Sequence, residues 1–338
     1  MEETSVNRSN PAPISQSSGK NRTPLWILLS VIVGFMLPVC SCAVLSFTSI
    51  AGLAMLGSGA SGSSGSGAAV AIVRVDGTIT SSDSAEFTGT ATSGTIIADL
   101  KAAAEDDAVK AVVLRVDSPG GTVTGSSQIY EVIRDYEKPI VVSMAGLAAS
   151  GGYQISAPAD YIFARPDTFT GSIGVILTLY NAKELIDEIG VDVILFTSGP
   201  NKSMGSTWEE ITPEQQEIFE ALIDESYDEF VNIVADGRGM DVETVRELAD
   251  GRIYSGRQAV NNGLVDELGD LDDAIAKAAE LGGISGKPRI VEYEHLPGLS
   301  QLLLGASSLA SQSEADRIVE LMGEFMTPSL EYRYVGPQ

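Results

Sequence analysis

The strongest pattern in the chain is an apolar run without a polar face. From Leu25 to about Phe47 the sequence reads LWILLSVIVGFMLPVCSCAVLSF, and no charged residue occurs between Arg22 and Arg74. A run of this length exceeds the roughly 20 residues needed to cross a bilayer, so it predicts a transmembrane helix over 25–47. Residues 1–24 are polar and read as a disordered tail. Arg8, Lys20 and Arg22 precede the span, which predicts a cytoplasmic N-terminus and an extracytoplasmic bulk. A cleaved signal peptide with a shorter apolar region is the alternative, and a lipid-modified Cys42 is a weaker one. The stretch GSGASGSSGSG (57–67) is a flexible linker by composition and sits within a connecting segment over 48–68. Beyond it, strand and helix patterns alternate. AVAIVRV (69–75), KAVVLRV (110–116), PIVVSM (139–144) and DVILFTS (192–198) read as strands. Residues 94–105 and 125–136 read as helices, the second with Ile129, Val132 and Ile133 at helical spacing. Thr212-Pro213-Glu214-Gln215 opens a long helix with a capping box and Pro in its first turn. The apolar face of that helix runs Ile218, Leu222, Phe230, Val234. The alternation predicts an α/β domain with mainly parallel pairing over 69–295, followed by a helical extension over 296–338.

Charge and composition narrow the chemistry. The 338 residues carry 46 acidic and 21 basic side chains, a formal net charge of -25. Such a surface repels phosphate backbones, so nucleic acid is excluded as a partner. The two cysteines, Cys40 and Cys42, lie in the apolar run, and His295 is the single histidine. Disulfides, a Cys/His zinc site and a cysteine nucleophile in the folded domain are therefore excluded by count. No metal or organic cofactor is expected.

Three glycine-rich segments stand out, each read as following a strand: Asp117-Ser118-Pro119-Gly120-Gly121, Ala148-Ala149-Ser150-Gly151-Gly152-Tyr153 and Thr170-Gly171-Ser172-Ile173-Gly174-Val175. Glycines at strand ends can aim free N–H groups into a cleft, which is what a developing oxyanion needs. Any one of them alone reads as turn chemistry. Ser150 stands at a strand-to-helix corner, where spacing fits a helix N-cap and a nucleophile equally well. A serine nucleophile needs a base. His295, in EYEHLPG, falls beyond the main α/β unit and reads as a surface residue. A lysine base must lose its charge through burial, since an ordinary lysine titrates near ~10.4. Lys101, Lys110, Lys138, Lys183, Lys277 and Lys287 fall on helices or strand edges. Lys202 lies in the small-residue loop TSGPNKSMGST, which fits either a lysine tucked into a cleft or an exposed loop lysine.

The segments DSPGG (117–121), AASGGY (148–153), TGSIGV (170–175), SGPNKSMGS (198–206) and GRIYSGRQAVNNGLVDELG (251–269) together resemble the signal peptide peptidase A family of serine peptidases, in its short single-copy form. The resemblance covers roughly residues 70–290. It implies a Clp-protease/crotonase-like α/β fold with repeated ββα units and a Ser–Lys dyad. The family nucleophile falls on Ser150 and the family base on Lys202. The lysine-orienting serine falls on Ser172, and the oxyanion-hole glycines on Gly120, Gly121 and Gly151. It further implies a membrane-anchored enzyme that degrades signal peptides and other apolar peptides, touches lipid through its N-terminal helix and assembles as a homo-oligomer. Two other classes fit parts of the sequence. One is a crotonase-like acyl-CoA enzyme, disfavoured by the acidic surface. The other is a non-catalytic membrane scaffold, disfavoured by the intact Ser150 and Lys202.

Overall fold

The computed structural model describes residues 67–82, 90–293 and 330–336. The predicted tail, transmembrane helix and linker, His295 and most of the C-terminal extension lie outside these residues. In chain order the elements are β1 (Ala69–Asp76), β2 (Ile79–Thr80), β3 (Ala91–Thr92), α1 (Ser93–Glu105), β4 (Val109–Ser118), β5 (Gly120–Thr122), α2 (Val123–Arg134), β6 (Ile140–Ala149) and α3 (Gly151–Gln154). Then follow β7 (Tyr161–Ala164), β8 (Phe169–Gly171), β9 (Ile176–Leu177), α4 (Lys183–Glu188), α5 (Pro213–Arg238), α6 (Val242–Leu248), β10 (Ile253–Ser255), α7 (Gly256–Asn261), β11 (Glu267–Leu268), α8 (Leu271–Leu281), β12 (Arg289–Glu292) and β13 (Leu330–Arg333).

The main sheet runs β10-β8-β6-β4-β1-β12, with β7 paired to β6 and β11 to β7. Its central pairs, β1 with β4 and β4 with β6, are parallel. In β1 all residues except Arg74 and Asp76 are buried, as a strand covered on both faces requires. Its alternation divides two cores. Ala69, Ala71 and Val73 join Leu100 of α1 and Ile129 and Ile133 of α2 on one side. Val70 and Ile72 join Ala274 and Ala278 of α8 on the other. A second, smaller sheet runs β3-β2-β5-β13-β9. The fold is mixed α/β with helices on both sides of the large sheet, as the alternating pattern predicts.

Three expectations differ from the structure. Residues 192–198 form no strand. Val193, Ile194, Leu195 and Phe196 are exposed, Phe196 at 95%. The run has strand composition but pairs with no described strand, and a strand is held by its neighbours rather than by propensity. Second, α5 has the predicted capping box and its Phe230 and Val234 are buried, but Leu222 is exposed. Only the second half of that helix lies against the core. Third, the described part of the C-terminal extension is the strand β13 rather than a helix. Leu330, Tyr332 and Tyr334 alternate with Glu331 and Arg333, which is period-two patterning. Among the described residues no helix is long and apolar enough to cross a membrane.

Candidate active site

The three glycine-rich segments converge because their strands are neighbours. β4, β6 and β8 lie side by side, and Ser118 pairs with Ala148 while Ala149 pairs with Gly171. Each glycine-rich turn therefore leaves the same end of the sheet, the carboxyl end of β4 and β6, where open α/β sheets bind ligands. Ser150 and Ser172 are the next residues after a registered pair. They are also the two non-glycine residues with positive φ among the described residues, at 54° and 50°. The Ser150 N–H donates to the Gly171 carbonyl at 2.7 Å, which locks the two turns together.

Ser150 takes the N-cap position of α3 with φ 54° and ψ -119°, yet its side chain makes no capping bond. That separates the two readings the spacing left open. The residue is fully buried, and its Oγ has no hydrogen-bond partner among the described residues. A buried hydroxyl without a partner costs about 1–3 kcal/mol, and a non-glycine residue in a sparsely populated backbone region costs a similar amount. Such costs concentrate where a side chain is held for chemistry.

The glycines around it leave no space for side chains. Gly120 has φ +90°, and a β-carbon there would collide with the Tyr332 carbonyl oxygen and stand 2.5 Å from Gly151 N. The Gly151 N–H opens α3, so it has no acceptor within its own helix. Gly121 packs against the Ile79 backbone of β2. The Gly120 N–H donates to Ser118 Oγ at 3.1 Å, and Ser118 Oγ in turn donates to the Gly77 carbonyl at 2.6 Å. Of the three glycines expected to supply oxyanion donors, Gly120 therefore has its N–H engaged in this structure.

Three residues escaped the sequence reading. Ser126 of α2 is buried with an unpartnered Oγ, and that atom occupies the space a Gly151 side chain would need. Gln154 of α3 is buried with both amide atoms unpartnered. Tyr332 of β13 is fully buried, its hydroxyl donates to the Ser226 carbonyl at 2.7 Å, and its ring packs on Phe230 with centroids 4.9 Å apart. Burial raises its hydroxyl pKa and keeps it neutral. Ser126, in VTGSSQ, carries no sequence signal beyond its helix. The alternation around Tyr332 did carry one. Tyr153, in the AASGGY segment, donates to the Leu264 carbonyl at 2.8 Å and so ties α3 to the segment after α7.

Lys202 is not brought to Ser150. It is exposed in the loop after residues 192–198, and its backbone N–H donates to the Gly199 carbonyl at 3.2 Å. Next to it Ser203 Oγ donates to Glu209 at 2.5 Å. Lys202 is exposed and Ser150 Oγ has no partner, so the two are not hydrogen-bonded in the described chain. Nearby, Leu179, Tyr180, Gly205, Glu209 and Ile211 line an open cavity of about 160 Å³.

A nucleophile-like serine on a strand-to-helix corner, at the carboxyl end of a parallel sheet, defines an α/β serine peptidase of the Clp-protease type. Known proteins agree. Residues 133–285 match peptidase family S49, and residues 84–168 match the Clp protease family. A Synechocystis sp. protein assigned as the protease slr0021 is 42% identical over 237 residues, 68% of this chain and 85% of that one. An Enterococcus faecium protein assigned as a signal peptide peptidase, SppA, is 39% identical over 251 residues, 71% of this chain and 73% of that one. Protease 4 of Salmonella typhi is 41% identical over 215 residues, 63% of this chain and 34% of that longer one. The chain belongs to peptidase family S49 and is a serine endopeptidase.

Proposed function

We propose that the chain is a membrane-anchored endopeptidase in which Ser150 is the nucleophile and Lys202 the general base, acting on signal peptides left in the membrane and on other apolar peptides. The observation that carries this reading is Ser150, a buried serine in a left-handed conformation whose hydroxyl has no hydrogen-bond partner in the described chain. Lys202 Nζ takes the hydroxyl proton as Oγ attacks the peptide carbonyl carbon. The carbonyl oxygen becomes an oxyanion, received by the Gly121 and Gly151 N–H groups and by Gly120 once it leaves Ser118. Lys202 then gives its proton to the departing amine as the C–N bond breaks. Water attacks the acyl ester, Lys202 takes the water proton, and Ser150 regains it on release of the acid. Ser172, one residue after Gly171, orients the lysine.

Assembly supplies what the single chain lacks. Leu185, Ile189, Ile194 and Phe196 are exposed, an apolar strip along the sequence just ahead of the Lys202 loop. Covering such side chains is worth roughly 1.5–3 kcal/mol each, which favours packing against a second copy. On this reading a neighbouring copy's Lys202 serves Ser150. The substrate class draws on the signal peptide peptidase name of the Enterococcus faecium relative and on the apolar run at 25–47, which would tether the domain at the bilayer surface.

The test is hydrolysis of an apolar peptide by purified full-length variants. Ser150→Ala and Lys202→Ala should each lose at least about 10³-fold in kcat, and Lys202→Arg should not restore it, because a guanidinium stays protonated. His295→Ala should hydrolyse normally. Activity lost in His295→Ala but kept in Lys202→Ala would reject the dyad.

A further inference from the structure

Beside the unpartnered Ser150 hydroxyl stands a second buried hydroxyl that is bonded on both sides. Ser118 is the last residue of β4 and is fully buried. Its Oγ donates to the Gly77 carbonyl at 2.6 Å and accepts from the Gly120 N–H at 3.1 Å. The Gly77 N–H in turn donates to the Asp117 carbonyl at 2.9 Å. Both backbone groups of Gly77, in the turn between β1 and β2, are thus fastened to the end of β4. Through the Ser118 hydroxyl that fastening reaches Gly120, the first residue of the strand that carries the oxyanion glycines.

The same residue brackets the nucleophile. Its register partner on β6 is Ala148, just ahead of Ser150. On the far side of Ser150, a Gly152 β-carbon would stand 3.0 Å from the Ser118 carbonyl oxygen and 3.4 Å from Ser118 Cβ. The placement of Gly120 relative to Ser150 therefore passes through Ser118. The two bonds of its hydroxyl are unequal. At 2.6 Å the bond to Gly77 is near the short end for O–H···O, and at 3.1 Å the bond from Gly120 is near the long end for N–H···O. A bond to a charged acceptor is about twice as strong as a neutral one. A developing oxyanion can therefore draw the Gly120 N–H away from Ser118, whereas a neutral substrate carbonyl gains nothing by the exchange. Ser118 keeps its bond to Gly77 afterwards, so its own buried donor stays paired.

From this arrangement we propose that Ser118 is a positioning residue of the oxyanion hole. Its hydroxyl, anchored on Gly77, fixes Gly120 relative to Ser150 at rest and yields the Gly120 N–H to the oxyanion as charge develops. An interaction made only as charge develops lowers the barrier without tightening substrate binding. This rests on the Ser150 reading above and adds to it a residue outside the dyad that acts through Gly120.

The test uses purified full-length chains carrying Ser118→Ala or Ser118→Cys, with folding checked by circular dichroism. A thiol is a weaker donor and acceptor than a hydroxyl, so Ser118→Cys carries the test if the alanine chain does not fold. In hydrolysis of an apolar peptide, Ser118→Ala should lose on the order of 10²-fold in kcat and Ser118→Cys less, with KM within about twofold of wild type. Two ligands separate positioning from general damage. An acetylated alanyl-alanyl-leucine boronic acid takes the Ser150 Oγ at boron, the hydroxyl proton passes to Lys202, and the adduct is a tetrahedral anion. The matching peptide amide, measured as a competitive inhibitor, stays neutral. The variants should bind the boronic acid more weakly by the factor lost in kcat and bind the amide as wild type does. Wild-type kcat in a folded variant, loss of kcat without loss of boronic acid affinity, or equal weakening of both ligands would overturn the inference and leave the nucleophile intact. Hydrolysis that survives in Ser150→Ala would instead reject the Ser150 reading on which the inference stands.

Discussion

At the scale of the residue, Ser150 combines two costs that a purely structural serine would not keep: a φ of 54° and a buried, unpartnered hydroxyl. Replacing it separates them. Ser150→Ala and Ser150→Gly should both abolish hydrolysis. The glycine variant should be the more stable by about 1 kcal/mol in urea denaturation, because glycine adopts positive φ without strain. Equal stabilities would mean that the backbone there is not strained. Gly120 makes the complementary point. A β-carbon at φ +90°, pressed on Tyr332 and Gly151, has nowhere to go. Gly120→Ala should destabilise the domain by about 1–3 kcal/mol in the same assay and lose activity. The glycine segments and Ser150 were legible in the sequence because strand ends and turn residues announce themselves locally. What Ser150 does with its side chain was not, since capping and catalysis share one local pattern until the hydrogen bonds are seen. The engagement of the Gly120 N–H by Ser118 was hidden for the same reason.

At the scale of the element, β1, β4, β6 and the helices between them follow from apolar runs and helical spacing, because each buries its own periodic face. The run 192–198 shows where that reasoning stops. Its residues suit a strand, but a strand is held by pairing, and among the described residues this run is unpaired. The residues around Lys202 fitted either a cleft or an exposed loop, and its role as base came from the family resemblance; in the structure it is exposed. β13 shows the reverse. The alternation Leu330, Tyr332, Tyr334 was present in the sequence, but a short strand far from its partner β5 is a long-range pairing that local patterning does not identify. Helix α5 joins these elements through Phe230, which is buried and packed at a tilt against Tyr332. Phe230→Ala should cost about 3–5 kcal/mol in thermal or urea unfolding. It should also speed amide exchange along 330–334 more than along β1. Uniform acceleration across both would indicate that α5 and β13 do not form one local unit.

At the scale of the whole molecule, the acidic surface and the apolar strip oppose each other. A net charge of -25 makes copies repel, whereas Ile189, Ile194 and Phe196 favour contact. The Debye length falls from about 30 Å at 0.01 M salt to about 3 Å at 1 M, so added salt weakens the repulsion and leaves the apolar contact. Light scattering should therefore show assembly strengthening as salt rises. The full chain carrying Ile194→Asp and Phe196→Asp should remain smaller at every salt concentration and lose hydrolysis with assembly. An active particle of unchanged mass would remove the strip from the interface. If a neighbour's lysine completes each site, Ser150→Ala and Lys202→Ala chains dissociated and reassembled together should recover part of the activity that neither has alone. No recovery in verified mixed particles would place the base within the same chain.

The central claim is that Ser150 is the nucleophile, and covalent labelling tests it most directly. A fluorophosphonate probe forms a bond only with an activated serine, so full-length protein should take up the label on the peptide containing Ser150, as read by mass spectrometry. Ser150→Ala, folded by circular dichroism, should take up none. Label found on a different serine, or uptake undiminished in Ser150→Ala, would contradict the account.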